Sequence, residues 1–185
     1  MAVLKTTISL FLEAIKEDSS ALKFMADVVR EDRRFVLKAV ELNGLAIEYA
    51  SDKLRGDREV FLAAVRNNAC ALEYASRKLR EDREIVLAAV QQFGYALSCA
   101  SPDLRGDREI VLAAVQECGL ALYHASEMLR GDREVVLAAV KQNALAICYA
   151  SRELRNDRYI VLTAVQQDGR QLDYASDELR EQLKK

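Results

Sequence analysis

The sequence predicts an all-α fold, specifically an α-solenoid of 25-residue repeats. Three observations carry that expectation. Aspartate recurs at 32, 57, 82, 107, 132 and 157, each 25 residues beyond the last. Between the aspartates, apolar residues return with the spacing of a helix face and not with strand alternation. The composition is 51% hydrophobic and 30% charged with one proline and seven glycines, which suits an ordered, helix-rich chain.

Taking the aspartate as repeat position 1, six units run from Asp32 to Glu181, and a degenerate seventh occupies residues 7–31. Position 6 is leucine throughout (Leu12 to Leu162), position 8 alanine (Ala14 to Ala164) and position 9 valine or isoleucine. On a helical wheel positions 4, 5, 8 and 9 share one face, with 6 at its edge and 3, 7, 10 and 11 opposite. This is a long amphipathic helix, and the aspartate is placed to cap its start. The helix stops at "NG" or a variant of it. Gly44, Gly94, Gly119 and Gly169 stand where a left-handed residue would close a helix, and Ala69 and Ala144 replace glycine twice.

A second, short helix follows, with positions 15, 16 and 19 inward (Ala46, Ile47 and Ala50 in the first full unit). Position 20 is serine in six of seven units, and Pro102 at position 21 forbids a helix running through it. Serine as N-cap with proline just behind it marks a fresh helical turn, anchored by the leucine of position 23 and closed by the arginine of position 24. Each repeat is therefore read as long helix, short helix and one-turn helix.

One such unit cannot bury its own apolar face, whereas stacked units can. Residues 1–185 are read as a single repeat domain, in which 7–31 form an N-terminal cap, 32–156 five repeats and 157–185 a C-terminal cap. Thr7, Ser9, Glu13 and Ser20 depart from the pattern at one end, and Arg170, Gln171 and Asp173 at the other. Gln171 replaces the alanine of position 15 where no neighbour is expected to follow, so the array is expected to be complete.

The stretch "DREVVLAAVKQNALAICYASRELRND" (132–157) resembles the helical tandem repeats of domain-of-unknown-function family 4116. The resemblance covers residues 32–181 and, more weakly, 7–31. It implies a repeat fold and no assigned activity.

Several function classes find no support. The formal net charge of −2 gives no global pull toward nucleic acid or an anionic membrane. No apolar stretch approaches the ~20 residues that cross a bilayer, and Glu13 interrupts the apolar start, so no signal peptide is expected. The four cysteines (Cys70, Cys99, Cys118, Cys148) form no CxxC pair, and His124 is the only histidine. Free thiols in the cytoplasm or another reducing compartment are expected, with no metal site and no cofactor. There is no P-loop, GxGxxG or HExxH.

What varies between units is a row on the second helix, positions 14, 17, 18 and 21, in α-helical i, i+3, i+4, i+7 spacing, with position 21 lying past the break at position 20. Its candidate binding residues are Glu48, Glu73, Tyr95, Ser98, Tyr123, Tyr49 and Tyr74. Packing makes repeats alike, and a surface freed from packing lets them differ. The tyrosines of position 18 either anchor a partner or cover the seam between repeats, and the seam is favoured. The arginines of positions 2 and 24 could hold phosphates, but the acids around them favour a structural role. Cys99 and His124 hold equivalent positions in consecutive units, yet no orienting group or oxyanion site accompanies them, so no enzyme is expected. The function expected is a noncatalytic scaffold for protein or peptide binding. The alternative is a nucleic-acid-binding helical array.

Overall fold

The protein is described by a computed structural model covering residues 2–183, with side chains from Ile8 onward; Thr7, the counterpart of the repeat aspartate, lies outside the described side chains. The described residues are helical and contain no strand. Seven long helices open the units: α1 (Ala2–Glu17), α2 (Arg33–Leu42), α3 (Arg58–Asn67), α4 (Arg83–Val90), α5 (Arg108–Glu117), α6 (Arg133–Gln142) and α7 (Arg158–Gln167). From α2 on, each starts on its aspartate. In α3, Asp57 Oδ1 accepts the backbone N–H groups of Glu59 and Val60, both at 3.1 Å. These are donors that a helix start otherwise leaves unpaired. The predicted face is the buried one: Phe35, Val36, Ala39 and Val40 in α2, and Ile110, Val111, Ala114 and Val115 in α5.

The second element is tighter than the α-helix expected. Each unit carries a six-residue 3₁₀ helix, among them Gly44–Tyr49, Ala69–Tyr74, Gly94–Cys99, Gly119–His124 and Ala144–Tyr149. Ala46 and Ala50 donate to the carbonyls of Asn43 and Ile47, three residues back in each case. Position 12 starts this element as an N-cap: Asn43, Asn68, Asn143 and Asp168 accept the N–H two residues on, whereas Phe93 and Cys118 cannot. Positions 15 and 16 point inward, and Ile47, Leu72, Leu97, Leu122 and Ile147 are fully buried.

The break at position 20 is where Pro102 places it. Ala50 and Ser51 are extended (ψ 161° and 154°), and Ser51 Oγ then accepts the Leu54 N–H at 3.4 Å. A single α-turn follows in Asp52–Arg55, Arg77–Arg80 and Glu127–Arg130, and a 3₁₀ turn in Leu104–Gly106 and Leu154–Asn156.

Glycine at position 13 does not serve the left-handed conformation expected, since no glycine has positive φ. It is there for room. A Cβ on Gly44 would lie 2.3 Å from the Ala64 carbonyl oxygen, and one on Gly119 would lie 2.3 Å from the Ala139 oxygen. The long helix of the next repeat presses its backbone against this point.

The chain divides into two compact units, Met1–Gln92 and Phe93–Lys185. In the first, α1, α2, α3 and α4 pack in chain order, with the 3₁₀ element that follows each of α1, α2 and α3 packed on its helix; in the second, α5, α6 and α7 pack in order, each with the 3₁₀ element that follows it. Backbone bonds tie neighbouring repeats: Ser51 donates to the Arg30 carbonyl, and Ser126 and Ser151 donate to those of Arg105 and Arg130. Leu10 and Phe11 of α1 are exposed at positions 4 and 5, which are buried in the later units. Gln171 departs from expectation in the opposite direction. It is 2% exposed, and its amide donates to Asp168 Oδ2 at 2.9 Å.

Candidate interaction surface

The row of positions 14, 17 and 18 lies at the surface beside a uniformly buried set. Ala46, Ile47 and Ala50 are buried, while Leu45, Glu48 and Tyr49 between them are partly open. The same alternation recurs in the other full repeats short of the last, where Leu172 of position 16 is partly open as well. The 3₁₀ geometry changes the predicted spacing, however. With three residues per turn, positions 14 and 17 lie one above the other, and position 18 stands a third of a turn away at the seam with the neighbouring repeat.

In the first unit, the expected residues Glu48, Tyr49, Glu73 and Tyr74 come together. Burial first, and then the Glu48 carboxylate, push the Tyr74 phenol up to about 12, and Glu48 likewise raises Tyr49. This face is acidic and phenolic.

In the second unit, Tyr95, Ser98 and Tyr123 lie on an aromatic face. Tyr123 is 58% exposed and meets His124 edge-on at 5.0 Å between ring centroids; it also meets Tyr149 of the next repeat at 5.1 Å. Tyr95 reaches His124 at 5.9 Å, with Phe93 at 5.9 Å on its other side. Tyr49, Tyr74 and Tyr149 are half-buried, the seam position that the sequence favours.

His124 is held in this ring cluster. Burial, with the Arg105 guanidinium adding to it, pushes its imidazole below the ordinary value. Cys99 has its sulfur 3.8 Å from Ser98 Oγ. Among the described residues no group of histidine, cysteine, aspartate and glutamate is arranged to hold a metal ion.

The arginines of position 2 join repeats. Arg33 Nε donates to Asp57 Oδ2 at 2.8 Å and its terminal nitrogen reaches Glu59; Arg58 does the same to Asp82 (2.7 Å) and Glu84 (2.6 Å). In the second unit Arg108 bonds Asp132 and Glu134, and Arg133 bonds Asp157. Arg133 also lies 5.6 Å from the centre of the Tyr159 ring. These guanidiniums are committed to neighbours.

The family model described as Domain of unknown function (DUF4116) matches the chain six times, over residues 8–55, 32–80, 57–105, 82–130, 107–155 and 132–180. The chain belongs to the DUF4116 family. No curated protein and no solved structure matches it. Five of the DUF4116 matches begin on a position 1 aspartate and run nearly through the following repeat, so the family's module is a pair of neighbouring 25-residue units. The first match begins at Ile8, inside the degenerate unit.

The DUF4116 repeats here share a device the sequence pattern hides. Position 11 lies on the polar face of the long helix, yet its carboxamides reach back to the preceding repeat. Asn67 accepts the Gly44 N–H at 2.7 Å and donates to the Glu41 carbonyl at 2.9 Å; Gln142 does the same with Gly119 (2.6 Å) and Glu117 (3.1 Å). Gln92 and Gln167 donate to the carbonyls of Val65 (2.9 Å) and Val140 (2.8 Å). They close the end of the long helix in the repeat before. The only signal in the sequence is the recurrence of Asn or Gln at a position otherwise free to vary.

Proposed function

We propose that this DUF4116 chain is a noncatalytic repeat scaffold that binds another protein or a peptide through positions 14, 17 and 18 of its 3₁₀ segments. One observation carries the reading. Within a single six-residue segment, the buried positions 15 and 16 are occupied by nearly the same side chains in each repeat, while the exposed positions between them hold different ones. Side chains needed for stacking are thereby separated from side chains available to a partner. The surface is fixed by caps and clamps before any partner arrives, which lowers the ordering cost of binding.

The reading as a non-enzyme is supported by what the reactive groups do. His124 packs against two tyrosines, and Cys148 has its thiol raised first by burial. Four unpaired cysteines support a reducing compartment such as the cytoplasm. No described helix is long and apolar enough to cross a membrane.

Photo-crosslinking tests the proposal. A benzophenone side chain placed at 45, 73, 123 or 145 is expected to capture a partner, and one at 41, 116 or 141 on the outer face of the long helices is not. Equal capture from both sets would remove the row as the binding surface.

A further inference from the structure

The arginines of position 24 fall into two groups. Arg30 pairs with Asp27, Arg55 with Asp52 and Arg180 with Asp177, while Arg80 donates to the carbonyls of Ala75 (3.1 Å) and Glu73 (2.9 Å). Arg105, Arg130 and Arg155 have no carboxylate or carbonyl partner among the described residues; the Nε of each is buried without an acceptor, as it is in the ion-paired Arg30 and Arg180. The cause is position 21. It is aspartate in the three repeats with an ion pair, and Arg77, Pro102, Glu127 and Arg152 in the four without one, where only Arg80 finds carbonyls instead. Glu127 makes no ion pair with Arg130, and Glu153 turns back on Ser151 and its own backbone. These guanidiniums retain donors that the fold does not use.

The same stretch carries the ring chain. Arg105 is close enough to His124 to act on its charge, and Arg155 lines a groove of about 720 Å³ with Tyr174. That groove also holds Arg152, Glu153, Asp177, Glu178 and Arg180, with Asp177 already taken by Arg180. Between residues 93 and 149, positions 14, 17 and 18 hold no carboxylate, in contrast to Glu48 and Glu73 of the first unit, and Glu127 stands at position 21.

We infer that residues 93–155 bind an extended acidic peptide, whose carboxylates are taken by Arg105, Arg130 and Arg155 and whose apolar side chains rest on Tyr95, Tyr123, His124 and Tyr149. This rests on the scaffold reading and specifies its partner's chemistry. Guanidiniums bind carboxylates in two-pronged, charge-assisted hydrogen bonds, and unpaired ones give up no internal partner to do so. RNA offers phosphates to the same charges. But base stacking needs a flat, free ring face, and the rings here meet at interplanar angles of 59° to 76° with neighbouring edges against their faces.

The test is selection of a phage-displayed random dodecapeptide library on the full chain, followed by fluorescence anisotropy with a labelled enriched peptide. Acidic sequences are expected to dominate. The chain carrying Arg105→Gln, Arg130→Gln and Arg155→Gln should bind about tenfold or more weakly while melting as the parent does. Tyr123→Ala, at an exposed position, should weaken binding without altering the fold. Enriched peptides that are neutral or basic but still depend on Tyr123 would overturn the acidic inference and leave the scaffold reading standing. Failure to enrich any peptide dependent on the row overturns both. Tighter binding of a labelled oligouridine than of the selected peptide overturns the inference in favour of a nucleic-acid array.

Discussion

Arg33 reaches across one full repeat to Asp57, its Nε 2.8 Å from Oδ2, while Oδ1 of the same carboxylate caps the helix that Asp57 begins. One side chain thus closes a helix and joins that helix to the repeat before it. Asp57→Ala removes both bonds and is expected to cost about 1 kcal/mol from the cap alone. Arg33→Ala removes only the junction and should cost less. A double-mutant cycle on thermal melts is expected to show favourable coupling between the two that fades in 1 M salt. Melts unchanged by arginine-to-alanine changes at 33, 58, 108 and 133 together would refute the structural role of that column.

Acid should loosen the same junctions. The Asp57 carboxyl is held below its ordinary value of 3.8, first by Arg33; that of Asp132 is held down first by the Val135 amide. A carboxylate depressed in the folded state contributes stability above its unfolded value, and that contribution is lost as pH falls through the folded one. The melting temperature is expected to be level from about pH 7 to 5 and to fall steeply below about pH 4. A fall already complete at pH 5 would assign the acid transition to other groups.

Gly44→Ala puts a methyl group against the Ala64 carbonyl and is expected to destabilise by about 1–3 kcal/mol in urea unfolding. Gly169 is the control. A Cβ there meets nothing within 4 Å and its φ is ordinary, so Gly169→Ala should be neutral or add about 0.4–1 kcal/mol. Equal effects at the two sites would mean that glycine is wanted for its backbone freedom after all.

Gln142→Ala leaves the buried Gly119 N–H without its acceptor and is expected to cost about 1–3 kcal/mol, although its own side chain lies on the exposed face. Gln166→Ala, one position earlier in the following repeat, makes no such bond and should be near neutral. Denaturant midpoints separate the two.

Thiol labelling checks the reading of the cysteines. Cys70 is exposed and should react fast, whereas Cys148, raised by burial, should react slowly. His124→Ala should leave the rate at Cys99 unchanged. A marked slowing at Cys99 would revive a cysteine–histidine pair.

The long helices were legible because ten residues span almost three turns, so positions 4, 5, 8 and 9 declare a face that neither a strand nor a 3₁₀ helix would share. The break at position 20 was legible through a single residue, Pro102. The 3₁₀ segments were not, since six residues fit either helix type and only the hydrogen bonds decide. Gly44 was noticed for the wrong reason. Its requirement comes from Ala64, twenty residues away in the next repeat, and no local signal reports that. Asn67 and Gln142 stand at position 11, opposite the apolar face, and helical periodicity does not report bonds that run backward into the preceding unit. The exposure of Tyr123 and Glu73 followed from the repeat comparison, whereas the release of Arg105, Arg130 and Arg155 depends on how position 21 meets position 24, which the alternation of letters does not disclose.

The carboxylate that serves two masters also regulates how such a chain can change its length. A guanidinium at 33 finds its mate at 57 only if the intervening path is kept, and one extra residue carried in line would swing the next cap by about 100° away from it. Small insertions must therefore bulge outward as surface loops, while growth or contraction of the stack itself comes quantised, in whole steps of 25 residues.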